Sequence, residues 1–124
     1  MLKQVLLFVC IMSVSACGGL PRTALDVAEL DGRKLEIAVL EQDVSMSTSS
    51  ATISFNGNTV HSSTLQDWKM EITSPTRQLV STQFTYEGRQ ITVKRQFDAG
   101  VSGVMTTYLF YADNNLLSSV PIAF

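Results

Sequence analysis

From residue 23 onward the chain is written in short runs in which apolar and polar side chains alternate, separated by turn-forming residues. Trp68-Lys69-Met70-Glu71-Ile72-Thr73 puts its apolar members on one face and its polar members on the other, and Ile91-Thr92-Val93-Lys94 and Ile53-Ser54-Phe55 do the same. A period of two is the mark of a half-buried β-strand. Between the runs stand Asp31-Gly32, Asn56-Gly57-Asn58, Ser74-Pro75, Glu87-Gly88, Asp98-Ala99-Gly100 and Asp113-Asn114-Asn115. Asp, Asn and Gly accept left-handed backbone and Pro presets a turn, so the spacing is that of successive hairpins.

The second half reads most clearly, with "QLVSTQFTYEG", "RQITVKRQF", "VMTTYLFYA" and "LLSSVPIAF" as four consecutive antiparallel strands. At the start, "TALDVAEL" is either a short helix begun by Thr23 and stopped at Gly32, or one arm of a hairpin in which Leu25 and Val27 face Leu35, Ile37 and Val39. The alternation of "LEIAV" favours the hairpin. The expected fold is all-β, a small antiparallel β-sandwich or meander barrel of about seven to eight strands. Leu116, Val120, Ile122 and the terminal Phe124 share one parity, as in a last strand tucked into a core. The final Phe also resembles the closing signal of outer-membrane β-barrel proteins, but spanning strands need ~9–11 residues and several runs here are shorter.

The first twenty residues, "MLKQVLLFVCIMSVSACGGL", are of another kind and hold both cysteines, Cys10 and Cys17. Lys3 precedes an apolar run from Val5 to Met12 and then small residues, the three parts of an export signal; the run is too short to cross a bilayer, which takes roughly 20 apolar residues. Val14-Ser15-Ala16-Cys17 resembles the lipobox of bacterial lipoproteins, with Val14 where leucine is commoner. The resemblance implies a diacylglyceryl group on the Cys17 thiol, cleavage before Cys17 and acylation of its new amino group. Cys10 follows the bulky Phe8 and Val9 inside the apolar run and goes with the signal. An ordinary secretory cut near Ala16, leaving Cys17 unmodified, is the other reading. The chain thus divides into a lipoprotein signal peptide (1–16), a lipidated cysteine with a short tether (17–22) and a single β-domain (23–124). Gly18 stands where enterobacterial lipoproteins kept on the inner membrane have aspartate, so the resemblance implies the periplasmic face of the outer membrane. Two or more acyl chains hold a protein there stably, and the five residues after Cys17 reach at most ~17 Å.

Residues 17–124 are the size of one domain and carry eight basic against eleven acidic residues, a balance that argues against nucleic acid as a partner. With Cys10 removed and Cys17 lipidated no disulfide is possible. Catalytic material is sparse. His61 in "NTVHSSTL" reads as an exposed strand histidine, with a Ser–His pairing oriented by Asp67 as the alternative. One histidine cannot supply the three or four ligands of a zinc site, Asp113-Asn114-Asn115 lacks the glycine and distal glutamate of an EF-hand, and no glycine pattern cradles phosphate. The expectation is a protein that is not an enzyme and takes no cofactor or metal.

Two features point to binding. Arg95 shares the parity of Ile91, Val93 and Phe97, so alternation aims it inward, as a paired core arginine, a strand-end group or the greeting for an anionic ligand, unless a bulge turns it out. "VMTTYLFYA" is apolar on both faces, with Met105, Leu109 and Tyr111 on one and Tyr108 and Phe110 on the other; such a strand is either central in a sandwich or covered by a partner. Met105, Leu109, Tyr111 and Arg95 are therefore the candidate binding surface. The expected function is a membrane-anchored, non-catalytic binding or accessory subunit of an envelope assembly, partnered by another envelope protein. The alternatives are a hydrophobic-ligand carrier with a cavity lined from Phe84, Tyr86, Ile91, Val93 and Tyr108, and a periplasmic inhibitor, since "VSGVMTTY" resembles the Ser-Gly and Tyr-containing loop of small lipoproteins that inhibit lysozyme.

Overall fold

The computed structural model describes residues 21–45, 48–100 and 103–122. The signal-like segment and Cys17 lie outside the described residues, as does Phe124. The described residues form nine strands: β1 (Arg22–Leu30), β2 (Arg33–Asp43), β3 (Ser49–Phe55), β4 (Asn58–Thr64), β5 (Lys69–Thr73), β6 (Arg77–Tyr86), β7 (Arg89–Gly100), β8 (Gly103–Ala112) and β9 (Asn115–Pro121), with a 3-10 turn at Leu65–Asp67. Strands β1 to β4 make one antiparallel sheet in chain order and β5 to β9 a second. Among the described residues no ladder joins the two sheets, so the molecule is a sandwich and not a closed barrel. The least patterned strand is β4, which is polar except for Val60 yet pairs with β3 from Ser50 to Phe55, as the strand setting expected for His61 requires.

Four hairpins close through two-residue turns with positive φ at both positions: Asp31-Gly32, Asn56-Gly57, Glu87-Gly88 and Asp113-Asn114. That backbone matches the right-handed twist of the flanking strands and is open at low cost only to Gly, Asn and Asp. Glu87 at φ 50° is the exception to that residue rule. All four turns lie at one end of the sandwich, where Arg89 donates to Asp113 at 2.9 Å and to Asp31, and Arg33 reaches Glu87 at 3.2 Å. Asp98-Ala99-Gly100, expected as a turn, instead continues β7: Ala99 pairs with Val104 and Gly100 with Gly103, so the reversal comes later.

The core is built from the inward parity of both sheets: Leu35, Ile37 and Val39 of β2, Ala51, Ile53 and Phe55 of β3, Ile91 and Val93 of β7, and Tyr108, Phe110 and Ala112 of β8. Phe55 is the hub, with Tyr86 edge-on at 4.8 Å and Phe84 and Phe110 at 5.7 and 6.2 Å. The side chains considered for a ligand cavity belong to this same packed cluster.

The first hairpin forms as expected, but its faces are reversed. Leu25 pairs with Ala38 and Val27 with Glu36, on the outer surface, while Ala24 and Ala28 stand opposite Val39 and Leu35 inside. Alanines are small enough to let β1 lie close along β9, where the Ser118 hydroxyl donates to Asp26 at 2.5 Å. The expected buried face of Trp68, Met70 and Ile72 also fails in part. Trp68 is buried, but Met70 and Ile72 are 55% and 40% exposed, because β5 is an edge strand and a register shift between Met70 and Ile72 breaks its alternation. A similar shift opposite Phe110 and Tyr111 takes Leu116 out of the face shared by Val120 and Ile122.

Candidate functional site

The most concentrated chemistry lies between the sheets. On β2, Glu41 extends the inward parity of Leu35, Ile37 and Val39 and is fully buried. Its cross-strand neighbour is Arg22, the first residue of β1, so the expected tether loses its last residue to the sheet. Facing this pair is a second cross-strand pair, Arg95 on β7 and Tyr108 on β8. Arg95 reaches Glu41 Oε1 through Nη2 at 3.2 Å and Oε2 through Nε at 2.5 Å; the Tyr108 hydroxyl donates to Oε2, and Arg22 Nε to Oε1 at 3.1 Å. Arg22 continues to Asp43 at 3.0 Å, and Asp43 accepts from Ser49 at 2.7 Å. Two arginines and two carboxylates are thereby matched.

Burial pushes the Glu41 carboxyl up, but the hydrogen bonds and charge of Arg95, the Tyr108 phenol and the charge of Arg22 outweigh it and leave it below the usual carboxylate range. Burial and the neighbouring Glu41 charge drive the Tyr108 hydroxyl far to the alkaline side. A carboxylate this fully neutralised is a poor general base and has no remaining charge for a ligand. The cluster clamps one sheet to the other. Arg95 therefore points inward, as alternation requires, as a paired core arginine. The sequence reading missed Glu41, although its parity with Val39 was a signal as plain as that of Arg95 with Val93.

His61 is half-buried, not exposed. Its ring stacks on Phe84 at 5.4 Å, and its Nε2 lies 2.8 Å from the Ser63 hydroxyl, which also accepts from the Trp68 indole at 2.7 Å. Burial lowers its pKa. The serine is thus Ser63, two residues along the same strand, held by Trp68; Asp67 sits exposed on the 3-10 turn. The group serves the crossover from β4 to β5, where Trp68 drops into the core edge-on to Tyr108 at 6.3 Å. Among the described residues no group of three or more His, Cys, Asp or Glu could hold a metal ion.

Met105, Leu109 and Tyr111 share the outer face of the five-stranded sheet; Met105 is exposed and the other two are half-buried. Strand β8 is flanked by β7 and β9, yet only its Thr106, Tyr108, Phe110 and Ala112 side is core. Arg95 is on the opposite side of the sheet from these three, so the four residues do not form one surface. Beside Leu109 and Tyr111, Lys94 lies 5.6 Å from the Tyr111 ring centre and 3.6 Å from Glu71. Tyr108, the tyrosine of the inhibitor-like tract, is fully buried with its hydroxyl on Glu41. The outer face of the four-stranded sheet is different in kind, an apolar groove formed by Leu25, Val27, Ala38 and Leu40 beside Thr52 and Thr59.

Compared with protein-family models, curated proteins and solved structures, the chain matches none.

Proposed function

We propose that this protein is a lipoprotein of the bacterial outer membrane, anchored through Cys17 on the periplasmic side, whose sandwich acts without catalysis as a binding or accessory subunit of an envelope assembly. The observation that carries the reading is Val14-Ser15-Ala16-Cys17, which ends an apolar run and stands five residues before the first strand. A tether this short keeps the domain within ~17 Å of the lipid attachment, a placement suited to work on something embedded in the same membrane. The supporting surface is Leu109 and Tyr111, an aliphatic and aromatic pair on an outer face, and aromatic residues concentrate binding energy at interfaces. The test has two parts. Radiolabelled palmitate should enter the wild-type chain and not Cys17→Ser, and label in the serine variant would end the anchor reading. Crosslinking in the native host should recover an envelope protein from the wild type, and a recovery unchanged by Leu109→Ser with Tyr111→Ser would remove this surface from the proposal.

A further inference from the structure

The two ends of the sandwich have opposite character. The end holding the four tight turns carries Asp31, Arg33, Glu87, Arg89 and Asp113 in exposed ion pairs. At the other end the chain enters β1 at Arg22. Val44 follows directly on Asp43, which is bonded to Arg22, and is 60% exposed. Val104 and Met105, paired with Ala99 and Asp98, are 55% and 59% exposed. Contact between Arg95 and Glu41 sets the sheets level at that point. Ala99 lies four residues past Arg95, whereas β2 ends two residues past Glu41. At ~3.3 Å per residue the β7–β8 hairpin runs about two residues, ~7 Å, further than β2 toward this end. Near this end Arg22 pairs with Asp43 at 3.0 Å and Arg77 with Asp98 at 2.9 Å, while Asp67, on the 3-10 turn that follows β4, is exposed.

We infer that this end is a membrane-contacting end: Val44, Val104 and Met105 rest in the headgroup region of the bilayer that holds the Cys17 acyl chains. The inference rests on the anchor reading and adds an orientation to it. The occupant follows from where the chain leaves, because the segment carrying Cys17 joins the domain at the apolar end with a reach of ~17 Å. Three aliphatic side chains are a weak membrane ligand alone, but a lipid tether makes the second contact intramolecular and needs no high intrinsic affinity. The domain then stands upright, with Leu25 and Val27 on one flank and Leu109 and Tyr111 on the other turned sideways toward membrane neighbours.

The test uses the full chain, processed in a bacterial host and reconstituted in vesicles of phosphatidylethanolamine and phosphatidylglycerol. Met105→Cys, Leu25→Cys and Leu116→Cys each receive an environment-sensitive fluorophore, read with spin-labelled lipid as quencher. The Met105 label should shift to the blue and be quenched by the lipid, while the Leu116 label at the far end should stay aqueous. Lipid-bearing protein, verified by mass spectrometry, with its Met105 label as aqueous as that at Leu116 would overturn the inference and leave the anchor standing. Quenching at Leu25 in place of Met105 would overturn it too, since the sheet would then lie flat. A mass spectrum without lipid would overturn both readings together.

Discussion

Lys94 and Arg95 are neighbours on β7 and meet opposite worlds. Lys94 faces outward, with Glu71 at 3.6 Å and the Tyr111 ring below it; the Ser81 hydroxyl first and then Lys94 hold Glu71 below its ordinary range. Arg95 faces inward on a carboxylate with no solvent contact at all. Both form ion pairs, but only the buried one carries a large penalty for being broken. The outer pair can exchange its partner for water, whereas removal of one inner partner strands the other in a medium that cannot solvate it. The same geometry that makes the inner cluster costly to break makes it chemically quiet, because both Glu41 oxygens already accept from Arg95, Arg22 or Tyr108.

The largest expected effect that would sharpen this contrast is Glu41→Ala, which leaves Arg95 and Tyr108 facing nothing and should cost ~3–5 kcal/mol in urea unfolding. A loss under about 1 kcal/mol would mean that the cluster is well hydrated. Because the folded carboxyl titrates below its unfolded value, its contribution is present above the unfolded carboxylate range and is lost as pH falls through the lower, folded value. Acid unfolding should therefore flatten in Glu41→Gln relative to wild type, and identical pH profiles would remove Glu41 as the cause. Trp68→Ala should cost ~3–5 kcal/mol through lost burial and a cavity. Met70→Ala and Ile72→Ala on the exposed edge strand should each cost under about 1 kcal/mol. Equal effects at all three positions would restore a buried face to β5.

On the outer side, Lys94→Ala should change stability by no more than about 1 kcal/mol, and less in high salt. The triple change of Met105, Leu109 and Tyr111 to Ser should leave a folded, cooperatively melting domain by circular dichroism, because these side chains do not enter the core. Its collapse would show that a face outside the core is nonetheless structural. The smallest effect belongs to His61, whose lowered pKa makes the neutral ring the folded form. Stability should be full above the unfolded histidine value and decline slightly as pH falls below it, and His61→Gln should remove that decline.

Local chemistry was decided in the sequence wherever a single residue pair suffices. Asp31-Gly32, Asn56-Gly57 and Asp113-Asn114 were legible as turns because positive φ at two successive positions is open to few residue types, and Glu87-Gly88 was legible by its glycine alone. The inward parity of Ile91, Val93 and Arg95 was legible because side chains on a strand can only alternate. Parity by itself, however, does not say which face is the core. Leu25 and Val27 looked like core and are not: the seam of β1 with β9 has room only for Ala24, Asp26 and Ala28, and β9 lies some ninety residues away in the chain. Met70 and Ile72 lost their face to a register shift set by pairing with β6, and Ser63 was assigned to His61 and Trp68 by the crossover between sheets. The partner of Arg95 was equally out of reach, since Glu41 meets it only when two sheets that share no backbone ladder are stacked. Alternation and turns are properties of neighbouring residues, so the sequence determined them; which face is buried, and which charges meet there, depends on how the sheets pack, and only the tertiary structure decided that.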